Sequence, residues 1–486
     1  MAIRYRLGFL LALVFLAGSC DDPAEPLPSG VLSVSIDSSA GPIIRVATIT
    51  LERPAPVDVV YGAPDTPTLR ITADSQASVY RIVLPRLRAD SKYRLQVGIP
   101  EEGGVHETTF GTAPLPADLA RIELTITGEP TYPVSLIEIA GAPPGEFTGL
   151  LMVEQGEIVG YMHVPGSLFG MTRRANGDIG LMHPLVGLVV QRLDGTVVHQ
   201  LPSSSSSTAY GRIHHDLTAT PSNTILFIAA DVQTVDGVAV TGEALWEWSP
   251  EAGTVVKRWS AFDHLDWRTE RGRESTRSNA GNWLHGNGIQ YGPRGNVIMS
   301  LRNINQVISI APDFQSVEWK LGGDNPTLAV PDGDRFFGQH YVSEPKLNHL
   351  LVYDNGFERP GCVDPPSAPC YTRAIEYVID RTANTATKVW EYRHFPDIFA
   401  ALVGSVRRLP NGNSVVLFGM SVQNQSTGPI TAVEVNDAGQ VQWRLTVPDT
   451  DVAFPQNTPG RPGPPSRLYR LTPIASLLGE VRASFR

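Results

Sequence analysis

Three of the eleven histidines in this chain share a register. His215 lies eight residues before Asn223 and His340 lies eight before Asn348, while His285 lies eleven before Asn296. Each asparagine reads as a hairpin turn, since Asn tolerates the backbone conformations that turns need. The surrounding segments are His214-His215-Asp216, Trp283-Leu284-His285-Gly286-Asn287, Ser300-Leu301-Arg302-Asn303 and Gly338-Gln339-His340, with Asp354-Asn355-Gly356 following. Neutral imidazole is a good nucleophile near pH 7, and imidazolium or guanidinium is a charge clamp. Brought together, these groups suit a tetrahedral oxyanion, for which catalysis is mostly positioning and preorganised donors around an in-line attacker. His106, His163, His183, His199, His264, His349 and His394 sit in ordinary contexts and read as surface or structural.

The elements that must position these side chains are strands. Downstream of residue 117 the chain repeats one unit: a run with Asn and Gly, an apolar strand, then a second strand ending near a Trp. The clearest copies are Leu409-Pro410-Asn411-Gly412-Asn413-Ser414-Val415-Val416-Leu417 with Val441-Gln442-Trp443, and Gly295-Asn296-Val297-Ile298-Met299 with Val317-Glu318-Trp319. Other copies begin at Asn176, Asn223 and Asn348, and a degraded one covers Leu150 to Met162. All strand and turn with no long helical period, this pattern predicts a six-bladed β-propeller over residues 117–486, its closing blade completed around Arg467 to Leu471. Equivalent inner strands of a propeller run along the channel, so His215, His285 and His340 are expected to converge on the axis.

Residues 30–116 alternate apolar and polar side chains in short runs, as in Leu32-Ser33-Val34-Ser35-Ile36 and Tyr93-Arg94-Leu95-Gln96-Val97. That predicts a small β-sandwich. The run Leu84-Pro85-Arg86-Leu87 before Tyr93 resembles the tyrosine corner of immunoglobulin and fibronectin III-like domains. The fold class expected is therefore all-β throughout.

At the start, Arg4 and Arg6 precede the apolar run Leu7 to Ala17, too short for a good spanning helix and suited to an export signal over residues 1–20. Leu16-Ala17-Gly18-Ser19-Cys20 resembles the lipobox of bacterial lipoproteins, which implies lipidation at Cys20, a polar tether over 21–29 and a protein held on the periplasmic side of a membrane by its lipid alone. Cys362 and Cys370 then remain and are expected to close the loop between them as a disulfide in an oxidising compartment. A net charge of −10 argues against nucleic acid as partner, because neutralising phosphates needs a basic face. Lysine occurs at only five positions, Lys92, Lys257, Lys320, Lys346 and Lys388, so nearly all positive charge is the planar guanidinium that suits oxyanions.

In order and spacing, the histidine-bearing segments resemble the successive motifs of the bacterial aryl sulfotransferases, from about Gly145 to Leu471. The resemblance implies transfer of a sulfuryl group from an aryl sulfate donor to a phenolic acceptor through a covalent sulfohistidine, with no nucleotide donor and no cofactor. It implies His340 as nucleophile, His285, Asn287 and Arg302 as the groups that hold sulfate, and His215 as a further pocket histidine. His214 and Gln339 are the adjoining candidates for substrate binding. After Gln339-His340 the family pattern leads one to expect a small or acidic residue and then alanine, whereas this chain has Tyr341-Val342, so a differently shaped pocket is expected.

Two other readings use the same residues. Several histidines facing one channel could coordinate zinc or copper. A propeller can also bind a partner or glycan on its rim without catalysis, because fold does not dictate function.

Overall fold

The computed structural model describes residues 30–477 apart from 39, 64–67, 101, 141–146, 184, 206, 272–277, 363–369, 424–425 and 448–467. The signal peptide, Cys20 and the tether expected at the N-terminus lie outside the described residues. What is described is all-β, interrupted only by three short 3-10 turns.

At the N-terminal end, Val31–Asp37, Arg45–Gly62, Leu69–Leu84, Lys92–Gly98 and Val105–Gly111 form one five-stranded sheet. The alternating pattern acts here as expected: Ala47, Ile49, Leu51, Val57, Val59 and Tyr61 all point into one core with Tyr80, Leu84, Leu95 and Val97. Tyr93 Oη accepts a hydrogen bond from the Arg88 backbone N–H at 2.7 Å, tying the turn before its strand to the strand itself. Arg86 pairs with Glu154 and fastens this sheet to the rest of the chain.

Downstream, the described residues form six small antiparallel sheets of four or five strands and one isolated two-stranded ribbon. Four sheets are simple meanders of consecutive strands, with first strands Met171–Arg173, Ile213–Ala219, Gly286–Tyr291 and Tyr341–Lys346. The remaining two are completed from distant parts of the chain. The sheet begun by Ser405–Arg408 gains Thr125–Gly128 at its far edge, where Thr446 lies opposite Thr125. The sheet of Val134–Ile139, Gly149–Glu154 and Glu157–His163 gains Leu468–Ile474, with Leu471 opposite Ile137. Strands from distant parts of the chain thus close these two sheets.

A bulge recurs between the third and fourth strands of all six sheets, at Val190/Gln191, Leu245/Trp246, Ser309/Ile310, Glu376/Tyr377, Glu434/Val435 and Met152/Val153. An extra residue there increases local twist and lets each outer strand splay from its neighbour. Apolar cores then fill the space between successive sheets. Leu226 and Trp259 meet Ile289 and Met299, Ile298 and Trp319 meet Leu350 and Val352, and Leu351 and Tyr353 meet Val416 and Phe418. Leu417 and Trp443 meet Ile137 and Leu471, Leu136 and Met152 meet Ile179 and Leu181, and Leu188 and Val190 meet Phe227 and Trp246. Each sheet therefore packs on two others, and the fold is propeller-like.

Candidate active site

The first strands of successive sheets lie side by side and are stitched together by buried polar groups. The Ala219 amide donates to Thr172 Oγ1 at 2.8 Å, the Ile289 amide to Asp216 Oδ2 at 2.7 Å, and Asn287 Nδ2 to the Gln339 carbonyl at 2.9 Å. At Gly288 a Cβ would lie 3.0 Å from the His340 carbonyl, so the close approach of two strands depends on glycine there.

His285 and His340 immediately precede the strands Gly286–Tyr291 and Tyr341–Lys346, and His215 lies near the start of Ile213–Ala219. His215 and His285 adopt positive φ, 62° and 53°, and both accompany register shifts in their strands. A left-handed residue at a bulge re-aims its side chain, and such strain persists where the surrounding structure holds it. The rings of His215 and His285 are 4.4 Å apart and inclined at 66°, and those of His214 and His215 are 5.0 Å apart and nearly perpendicular. Burial, followed by His214, His285, His340 and Arg470, holds the His215 pKa well below the ordinary imidazole value. His340 is lowered well below it too, by burial and then by Arg302, with His285 adding to the effect. Both rings are therefore neutral at pH 7.

The hydrogen bonds of His340 decide which nitrogen carries its proton. Asn355 Nδ2 donates to the carbonyls of Ala400 and Val403 at 2.7 and 2.9 Å, which fixes the amide so that Oδ1 faces His340 Nδ1 at 2.8 Å. The Gly338 carbonyl lies 3.2 Å from the same nitrogen. Two acceptors at Nδ1 place the proton there and leave Nε2 with its lone pair.

Arg302 opens the 3-10 turn Arg302–Ile304 at the end of the strand Val297–Leu301 and is 3% exposed. Its backbone amide donates to the His285 carbonyl, and Asn305, which ends the turn in a left-handed conformation, accepts from the Gly338 amide at 2.7 Å. These two bonds tie the arginine to the segments that carry His285 and His340. Its guanidinium lies 5.4 Å over the Phe357 ring and donates to Asn303 Oδ1.

Gln339 is fully buried, its Nε2 donating to Ser300 Oγ and to the Gln306 carbonyl, so its amide braces the neighbouring strand. Tyr341, expected to alter the pocket, is 2% exposed and packs with Leu351, Tyr353 and Val406 between two sheets. Its bulk is absorbed by that core because strand alternation turns it away from the side of His340. Cys362 and Cys370 are disulfide-bonded, with Cα atoms 5.2 Å apart.

Beneath the histidines the strand Leu468–Ile474 reaches across to two other sheets. Arg470 pairs with buried Asp216 and donates to the Asn287 carbonyl at 3.0 Å, a carbonyl that also accepts from Tyr469 Oη at 3.3 Å. Phe169 lies edge-on to Tyr469 and tilted against His215, with centroids 5.2 and 6.1 Å away. With Ala401, Leu402, Val403 and Met420 it forms an apolar wall beside the imidazoles. Of these groups, sequence reasoning quoted Asp216 and Asn355 inside motifs without giving them a task. Arg470, Tyr469 and Phe169 carried no local signal. Among the described residues no three His, Cys, Asp or Glu side chains are grouped to hold a metal ion. A surface groove of about 930 Å³, lined among others by Tyr61, Lys92, Arg94 and Phe110, lies on the N-terminal sheet and has none of these histidines in its wall.

The arrangement offers one buried, neutral imidazole with a free Nε2 lone pair, a guanidinium beside it, and two further imidazoles in contact with each other. Comparison with known proteins bears on its use. The model of the arylsulfotransferase (ASST) family matches residues 149–454. Arylsulfate sulfotransferase AssT of Escherichia coli O6:H1 is 24% identical over 186 residues, covering 32% of this chain and 31% of the relative. The chain thus matches about a third of that protein's length. Among solved structures, a protein of unknown function from Bacteroides caccae is 15% identical over 71% of this chain and all of its own, with a TM-score of 0.43. Virginiamycin B lyase from Staphylococcus aureus is 11% identical over 74% of this chain and 92% of its own, with a TM-score of 0.33.

Proposed function

The chain belongs to the arylsulfotransferase family, and from that premise we propose that it moves a sulfuryl group from an aryl sulfate to a phenol, without a nucleotide donor, through a covalent adduct on His340. The observation that carries this reading is the state of His340: buried, neutral, with Nδ1 held by Asn355 and Nε2 bearing the lone pair. Nε2 attacks sulfur in line with the departing phenolate. The S–O bond breaks as the N–S bond forms, and the phenolate leaves with the electron pair. Charge on the three remaining oxygens is met by Arg302, His285 and the amide of Asn287, each such donor worth about 3 kcal/mol to the transition state. The oxygen of a phenol then attacks the adduct and gives up its proton; the new S–O bond forms as the S–N bond breaks, and the electron pair returns to the imidazole. Phe169 and the apolar wall beside His215 give the aryl ring a seat.

On this reading the six sheets are six blades around one axis, preceded by an immunoglobulin-like sandwich, and the protein is exported and tethered through a lipid on Cys20. The Cys362–Cys370 bond agrees with an oxidising compartment.

Intact mass after mixing with 4-nitrophenyl sulfate, with acceptor withheld, tests the mechanism. The expected result is a gain of one sulfuryl group that maps to His340 and is absent from His340→Ala. An unmodified wild-type protein, or an adduct retained in His340→Ala, defeats it.

A further inference from the structure

Glu243 is a buried carboxylate to which the mechanism above gives no task. It sits on the strand Val238–Ser249 and is 4% exposed. Its Oε1 accepts from the Gly286 amide at 2.8 Å, directly after His285. Its Oε2 stands 2.9 Å from His214 Nε2, at ion-pair distance, and makes no hydrogen bond among the described residues. On the far side of that ring, His214 Nδ1 lies 2.9 Å from His215 Nδ1. A carboxylate and two imidazoles thus form a chain that ends at the rings of His285 and, beyond it, His340.

Proton logic along this chain favours one arrangement. A buried carboxylate oxygen 2.9 Å from a ring nitrogen needs a proton on that nitrogen. In the neutral tautomer of His214 that carries its proton on Nε2, Nδ1 is an acceptor, and His215 Nδ1 is then the donor between the two rings. His215 Nε2 then carries a lone pair. An imidazolium formed at His215 would be stabilised through His214 by the Glu243 charge, the same division of labour by which a buried carboxylate orients a catalytic histidine elsewhere. Burial, and then the neighbouring His214, His285, His340 and Arg470, oppose a resting charge on His215, which leaves it unprotonated and ready to accept a proton.

We propose that Glu243 and His214 are positioning residues that hold His215 as the general base for the acceptor hydroxyl. The inference rests on the sulfuryl-transfer reading and assigns a residue to its second half. As the acceptor oxygen attacks sulfur on His340 Nε2, its O–H bond breaks and the proton passes to His215 Nε2. The new S–O bond forms while the S–N bond breaks, and the electron pair returns to the His340 ring. With a basic leaving group the first half runs the same proton backwards, from His215 to the departing oxygen.

The test separates the two halves. Adduct formation is measured with 4-nitrophenyl sulfate, whose leaving group departs as a stable anion and needs no acid. Transfer is then measured to phenol, protonated at pH 8, and to a polyfluorinated phenol that is already ionised there and needs no base. Glu243→Gln keeps an oxygen for the Gly286 amide and should slow transfer to phenol by on the order of ten- to a hundred-fold, while adduct formation and transfer to the ionised acceptor change far less. His214→Gln, which breaks the chain at its middle, should give the same acceptor-selective loss. Equal losses with both acceptors, or unimpaired transfer to phenol in both variants, would overturn the assignment. Failure of the wild-type protein to form any adduct would instead remove the sulfuryl-transfer reading, and this inference with it.

Discussion

Glu138→Gln should stabilise the protein above neutral pH and leave it unchanged in mild acid. Glu138 lies on the strand Val134–Ile139, 1% exposed, with Oε2 accepting from the Gly170 amide at 2.9 Å and Oε1 without a partner among the described residues. Burial pushes its pKa from the ordinary 4.5 up to about 7. Asp216 pushes the same way, while Arg470, Arg407 and the Gly170 hydrogen bond oppose. Because the folded value lies above the unfolded one, the folded chain holds an extra proton across that interval. The stability this confers is complete below about 4.5 and is lost as pH rises through about 7. At about 1.4 kcal/mol for each pH unit over which the two states differ by one proton, the interval amounts to about 3 kcal/mol. Glutamine keeps the acceptor for Gly170 and carries no charge at any pH. Urea unfolding of wild type and variant, followed from pH 4.5 to 8.5, should give curves that nearly meet at the acid end and separate by about 3 kcal/mol at the basic end, the variant being the more stable. Parallel curves, or a variant less stable at pH 8, would refute the reasoning that burial dominates the arginines at this carboxyl.

Asp216→Asn leaves the Arg470 guanidinium buried without its counter-ion, and a loss of about 3–5 kcal/mol is expected in the same urea assay. A change below about 1 kcal/mol would mean that the Asn287 carbonyl alone satisfies the arginine. Asn355→Ala removes the acceptor that sets the His340 proton and the donor that serves two carbonyls. Adduct formation should slow by on the order of ten- to a hundred-fold, and stability should fall by about 1–3 kcal/mol. Unchanged adduct formation would show that the Gly338 carbonyl holds the ring unaided.

Much of the architecture was legible locally. Period-two alternation found the strands because a half-buried strand must place apolar side chains on one face, whatever it packs against. Asn223 and Asn348, at φ of 64° and 61°, mark hairpin turns as their type suggested. Shared distance from such turns is also why His215 and His340 could be paired in advance. The longer spacing of His285 reflects the longer turn, Gly292 to Gly295, between its strand Gly286–Tyr291 and Asn296, against Leu347 alone between Tyr341–Lys346 and Asn348.

What the linear order could not state is which polar groups answer these histidines. Alternation says which face a side chain takes and is silent on the neighbour that face will meet. Arg470 reaches Asp216 only because their two sheets pack against one another, while Glu243 meets His214 and Asn355 meets His340 through the pairing of strands within a single sheet. The same holds for Gln339, one residue from His340 yet turned to brace Ser300, and for Tyr341, whose ring fills the core between sheets. Residue type and register thus determined the strands and the candidate imidazoles. Protonation, orientation and charge balance were decided by tertiary packing, because a hydrogen bond or an ion pair depends on distance in space and not on separation along the chain.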